Sequence, residues 1–281
     1  MSAATPPPDL TPVPAEASGR FIDTLVSYVP LRVVLRLVPD APALTAAWAE
    51  RFTAAGLFVD ISGSTALAER LGVRGAVGAE ELSRVFNAYF GQLIEVITAH
   101  GGDIVKFAGD GLLALWPAAE SSIATATQRA AQCGLTVQQR LHDYAVADGI
   151  RLSVRIGVGA GPTVIYYLGG TDGQWEFLVS GESVARMCAA ERQAQPGEIV
   201  LAREVWPQVN DALSGRPLPS GDVRLEAVRR WLPLQPLPPA RIEPAMESCL
   251  RGFAPAAILA RLAAGQREWL AELRRVTVVF I

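Results

Sequence analysis

The chain has 281 residues, 50% of them hydrophobic and 19% charged, with a formal net charge of −3. That hydrophobicity excludes disorder as the dominant state, and 25 basic against 28 acidic residues exclude the broad phosphate attraction of a nucleic-acid binder. Cys133, Cys188 and Cys249 have no metal-ligand spacing and cannot all pair, which points to a reducing, cytoplasmic setting, while His100 and His142 leave little for histidine chemistry.

Residues 1–19 hold five prolines among small and acidic residues and read as a disordered tail, without the charged start and apolar middle of a signal peptide. No apolar run approaches the roughly 18 residues that span a bilayer. Residues 20–50 form a lead segment in which Phe21 to Val38 mixes Leu, Val and Ile with Arg32 and Arg36. A strand or helix packed on the domain is expected there, with a membrane-surface helix as the alternative.

The main domain is assigned to 51–215. Ala55 to Asp60 is a short apolar run ending in a carboxylate, which predicts a buried strand, and Ser62 to Leu71 reads as a helix start. From Glu80 to His100, Leu82, Val85, Phe86, Tyr89, Phe90, Leu93, Ile94 and Ile97 recur at helical steps, and Gly101-Gly102 ends the run. Asp103 to Phe107 and Leu112 to Trp116 flank Ala-Gly-Asp-Gly, with Asp110-Gly111 as a hairpin turn signal. A helix over Ser121 to Ala147, a strand over Arg151 to Gly159, a Gly-rich hairpin region over Thr163 to Val179, a helix from Ser183 and a strand over Glu198 to Leu201 follow. This order predicts an α+β fold: a ferredoxin-like βαββαβ sandwich with one antiparallel sheet and helices on one face. Residues 216–250, rich in proline, are expected to be irregular, and 251–274 to form a linker helix. Residues 275–281 (Val276 to Ile281 apolar) read as the truncated first strand of a second domain, since no partner strand follows.

Two carboxylates stand out by position. Asp60 ends the first strand before a helix start, and Asp110 sits in the hairpin; in a ferredoxin-like sheet those strands are neighbours, so both can converge at one end. Paired aspartates are what Mg²⁺ accepts when it also holds substrate phosphates, and the helix near Ser62 aims backbone N–H groups at the same place. Singly, each aspartate also fits a helix cap or a turn residue.

Phe58-Val59-Asp60-Ile61-Ser62-Gly63, Gly101 to Asp110 (GGDIVKFAGD), and Phe177 to Val184 (FLVSGESV) resemble class III nucleotidyl cyclases, in particular the first catalytic domain of soluble adenylyl cyclases and their bacterial relatives. The resemblance continues through Leu273 to Phe280 (LRRVTVVF), similar to the junction into a second catalytic domain, and covers the chain from Arg51 onward. It implies conversion of ATP to cyclic AMP and pyrophosphate. Asp60, Asp110 and the backbone carbonyl of Ile61 would bind two Mg²⁺ (or Mn²⁺). Amides of Ile61, Ser62, Gly63, Ser64 and Thr65 would hold the triphosphate.

Departures from the family pattern shape the mechanism. The positions of a transition-state Asn and Arg are Ala185 and Ala189, and the base-reading Asp position is Leu178. None of these side chains can hydrogen-bond, so a second cyclase domain of the same longer chain, or a homologous chain, is expected to supply those groups, and the chain alone to be nearly inactive. Ser64 stands where the family usually has Phe. Lys106, the one lysine beside 24 arginines, occupies the position that in such first domains belongs to a degenerate pocket binding bicarbonate; Val179 and Arg186 would line it. The matching arginine is Cys188, with Arg186 or Arg192 as substitutes. Arg151, Arg155 and the Gly157 to Gly161 stretch lack the spacing of a dinucleotide loop and read as a strand entering a tight turn. Two other readings compete. A diguanylate cyclase is disfavoured because Gly101-Gly102-Asp103 is followed by Ile and Val, and a ligand-sensing cyclase relic without turnover is disfavoured by the retained aspartates.

Overall fold

The computed structural model describes residues 15–37, 46–118, 122–146, 149–170, 173–237 and 242–263. The strand expected over 275–281, most of the expected tail and residues 264–274 of the linker helix lie outside them. A helix, α1 (Ala15–Val26), already begins inside the segment expected as tail, and α2 (Leu31–Arg36) follows. Then come β1 (Trp48–Ser62), α3 (Ser64–Gly72), α4 (Gly75–Ala99), β2 (Asp103–Ala108), β3 (Gly111–Pro117) and α5 (Ile123–Leu141). The chain continues through β4 (Tyr144–Ala145), β5 (Arg151–Gly169), β6 (Trp175–Gly181), α6 (Glu182–Glu191) and β7 (Ile199–Leu201). It closes with β8 (Leu213–Pro217), β9 (Val223–Val228), α7 (Glu247–Phe253) and α8 (Ala256–Ala263).

The sheet runs β2-β3-β1-β5-β7-β9-β8, with β4 and β6 also paired to β5. Its first four strands, β2-β3-β1-β5, are antiparallel neighbours. With α3–α4 and α5 as the two crossovers, that is the ferredoxin-like βαββαβ order. Residues alternate along β1: Ala55, Leu57, Val59 and Ile61 join Leu112, Ala114, Trp116, Val154, Ile156 and Val158 in the core under α3, α4 and α5. Phe52, Ala54, Gly56, Phe58 and Asp60 therefore face the other way.

That second face is also covered. Helix α6 lies on it because glycines on β1 and β5 leave room: a Cβ on Gly157 would meet the Met187 carbonyl oxygen at 2.0 Å, and one on Gly159 the Met187 amide nitrogen at 2.4 Å. Further along the same face, Ile22, Leu25, Val33 and Val34 of the lead segment pack with Ile165, Tyr167, Met246 and Leu250 into a second core. Helices thus cover one face of the ferredoxin-like core as expected, while α6 and the lead and tail helices occupy the other.

Several expectations need correction. The helix expected over 251–274 starts at Glu247 and breaks after Phe253, where Ala254 is extended ahead of Pro255, before α8 resumes at Ala256. The Gly157 to Gly161 stretch enters no tight turn; β5 runs through it to Gly169, since its glycines serve helix approach. Nor is 216–250 irregular throughout. Leu213, Val223 and Leu225 are buried, and β8 and β9 pair antiparallel beyond β7. Local proline content hid this alternation, because the prolines cluster after the hairpin. The extended stretch that follows is strapped to α5: Gln132 Oε1 accepts from Leu232 N (2.8 Å) and its Nε2 donates to Leu232 O (3.1 Å).

Candidate active site

Asp60 stands opposite Gly111 on β3 and opposite Arg155 on β5, at the end of β1. Ala108 pairs with Gly111, so the hairpin turn is Gly109–Asp110, one residue earlier than the predicted Asp110–Gly111. Gly109, at φ +65°, takes the left-handed first position that such two-residue turns give to glycine. Asp110 is therefore a turn residue beside the end of β1, and the two aspartates come to the same end of the sheet.

The turn from β1 into α3 is equally constrained. Gly63 has φ +95°, and a Cβ there would meet the Arg151 carbonyl oxygen at 2.8 Å. Just after it, the buried Ser64 hydroxyl hydrogen-bonds the Asp110 carboxylate and lies 3.2 Å from the Ile61 carbonyl oxygen. One hydroxyl thus marks the point where Asp110 and Ile61 O converge. The Ile61–Thr65 backbone wraps the start of α3, where N–H groups have no intrahelical partner. Two carboxylates, a carbonyl and a hydroxyl are a hard-oxygen donor set, and they fit a Mg²⁺- or Mn²⁺-sized cation with phosphate ligands.

A residue that sequence reasoning set aside belongs here. Arg155 donates a hydrogen bond to the Asp60 carboxylate, and the same Nη2 lies 3.3 Å from Glu191 Oε1 at the end of α6. The bond to Asp60 chiefly, with the charges of Glu191 and Asp110, raises the Arg155 pKa above its ordinary value against the cost of burial. Burial raises the Glu191 pKa, opposed by Arg155. The available signal was period two: Arg155, Gly157 and Gly159 share one face of β5, and that face carries Asp60's neighbours. Arg151 instead pairs with Asp143 at 2.8 Å.

The expected degenerate pocket is only partly assembled. Lys106 is exposed, opposite Leu113 and beside a β-bulge between Ile104 and Lys106. Val105 and Leu113 gather with Val179, Val184 and Cys188 in one apolar cluster. Arg186 does not join Lys106: its guanidinium donates to Ala160 O at 2.6 Å and pairs with Glu182 at 2.5 Å. Leu178, Ala185 and Ala189 are exposed, the two alanines one turn apart on α6. Among the described residues no helix is long and apolar enough to cross a membrane.

The family model described as adenylate and guanylate cyclase catalytic domain matches residues 49–226. The chain is similar to adenylate cyclase type 10 of Rattus norvegicus, 30% identical over 194 residues, which are 68% of this chain and 12% of that protein. It is also similar to adenylate cyclase 1 of Rhizobium meliloti (strain 1021), 29% identical over 204 residues, 70% of this chain and 29% of that protein. Among solved structures, the adenylyl cyclase CyaB from P. aeruginosa superposes with a TM-score of 0.54 at 22% identity, covering 66% of this chain and 99% of that one. The guanylyl cyclase Cya2 gives a TM-score of 0.51 at 27% identity, covering 63% and 91%. The match takes in only a small part of the curated relatives, yet one family model lies over most of the sheet and both aspartate-bearing segments. This chain belongs to the class III adenylyl and guanylyl cyclase catalytic-domain family.

Proposed function

We propose that this chain is one half of an adenylyl cyclase site, turning ATP into cyclic AMP and pyrophosphate at an interface with a second cyclase domain. The observation that carries this reading is the convergence of Asp60, Asp110 and the Ile61 carbonyl at one sheet end, beside the start of α3. Two Mg²⁺ or Mn²⁺ held by those three residues would neutralise the triphosphate and lower the barrier to attack by the ribose 3′-hydroxyl. Amides of Ile61, Ser62, Gly63, Ser64 and Thr65 receive the phosphates, since helix-start N–H groups favour anions. Arg155, drawn off Asp60 when that carboxylate turns to a cation, adds positive charge at the same place. Leu178, Ala185 and Ala189 offer neither donor nor acceptor for the base or the transition state, so a partner domain supplies both. A cytoplasmic setting agrees with the unpaired cysteines.

The test is Mn²⁺-dependent ATP cyclisation by the chain combined with a second class III domain that carries Asn and Arg at those positions. Cyclic AMP should form, and Asp60→Ala should lower the rate by about two orders of magnitude or more. Product at an unchanged rate in that variant overturns the assignment. The alternative, a ligand-sensing module without turnover, draws its support from the bare alanines of α6, and predicts no product with any partner. Bicarbonate at Lys106 and Val179 remains a proposal without Arg186, whose guanidinium is engaged elsewhere; loss of bicarbonate activation in Lys106→Ala is its test.

A further inference from the structure

We infer that Glu191 is a positioning residue for the catalytic end: it is the standing counter-ion of Arg155 and makes the Asp60 carboxylate available to a cation. The inference rests on the metal assignment proposed above.

Arg155 lies between two carboxylates of different character. Asp60 is at the strand end, its side chain 21% exposed, while the Glu191 side chain is 8% exposed. The arginine spends its hydrogen bond on Asp60; its contact with Glu191 is an ion pair without hydrogen-bond geometry. Glu191 Oε1 and Arg155 Nε are both buried without a hydrogen-bond partner. A buried carboxylate oxygen left in this way is costly unless another state of the site satisfies it. Helix α6 cannot swing away to hydrate it, because a Cβ on Gly157 would meet the Glu191 amide nitrogen at 2.4 Å; the helix end is pressed onto the sheet.

These facts describe one guanidinium with two stations. On Asp60, it blocks the carboxylate that a cation needs. On Glu191, it satisfies the orphan oxygen and stays on the sheet as a fixed positive charge. A cation arriving at Asp60 displaces the arginine by a short side-chain rotation, and Glu191, the buried carboxylate beside it, keeps the guanidinium paired. Without the Glu191 charge, Arg155 has only Asp60, and every cation bound must strand it.

Mn²⁺ binding to the full chain, read by electron paramagnetic resonance without nucleotide, tests this apart from turnover. Glu191→Gln should weaken Mn²⁺ binding about tenfold or more, the scale set by groups that orient metal ligands, and Glu191→Asp should recover part of it. In an Arg155→Gln background the Glu191→Gln change should leave Mn²⁺ binding unaltered, because Glu191 acts only through Arg155. Should Glu191→Gln alone fail to fold, the double variant should fold, since removing both charges leaves none stranded. Equal Mn²⁺ affinity of wild type and Glu191→Gln overturns the inference while leaving the metal assignment standing. Mn²⁺ binding that is absent in the wild type, or unaffected by Asp60→Asn, overturns both.

Discussion

Ser64 has one proton to donate and two oxygens to give it to, the Asp110 carboxylate and the Ile61 carbonyl. A phenylalanine at this place would fill space; a buried serine ties the hairpin turn to the end of β1. Ser64→Ala leaves both acceptors without their shared donor, so stability to urea should drop by about 1 kcal/mol. The reconstituted cyclase rate should fall about tenfold, because Asp110 is no longer held toward Ile61. A rate unchanged within twofold would show that the turn positions Asp110 unaided. Single residues were unevenly legible. Asp60 and Asp110 announced themselves by lying at strand ends, and Ser64 only by being unusual. Arg155 carried only its period-two place with Gly157 and Gly159, and Glu191 no local sign, since their meaning depends on which residue of β1 lies opposite β5 and on where α6 docks.

One side chain of the sheet caps the start of helix α2. The buried Asp103 carboxylate at the start of β2 accepts from Leu31 N at 3.1 Å and Arg32 N at 3.2 Å. Its pKa is raised from 3.8 to about 6, first by burial, against the pull of those two amides and the Arg32 charge. A carboxyl whose folded pKa is raised favours the folded state most when protonated. Its contribution is therefore full below about 4 and lost as pH rises through about 6. Relative to Asp103→Asn, which does not titrate, the wild type should gain on the order of 2 kcal/mol between pH 8 and pH 4. Unfolding curves at both pH values check this, and a pH-independent difference would remove Asp103 as the cause. At this scale periodicity found the elements better than their ends: α4 and the β2–β3 hairpin sit where apolar spacing put them, while α5 stops at Leu141, short of the expected Ala147, and Tyr144–Ala145 pair with β5 instead. The β8–β9 hairpin did not, because strands of five and six residues leave a signal weaker than the prolines beside them.

Across the molecule, the two faces of the sheet have different duties. One holds the main core under α3, α4 and α5; the other carries the aspartates, α6 and, farther along, the second core built by lead and tail segments. Sequence order pointed to the ferredoxin-like arrangement, because short right-handed crossovers leave few sheets for that order of strands and helices. It could not say that residues 20–37 and 242–263 meet on β5 and β6, a contact between distant parts of the chain. The exposed Leu178, Ala185 and Ala189 fix the prediction at this scale. Cyclase activity of the chain should be close to background on its own and rise with added second domain until the two are equimolar. A chain that reaches full rate unaided would mean the donors come from within.

The glycines at 157 and 159 have a mechanical consequence. By letting α6 rest on the strands, they make a rod of ten residues, about 15 Å long, that has Glu191 at its buried end and Ala185 and Ala189 on its open side. Such a rod is held against the strands along its length. A neighbour resting on the alanines therefore meets an unyielding surface, and the glutamate behind it keeps its place beside Arg155 whichever domain is docked.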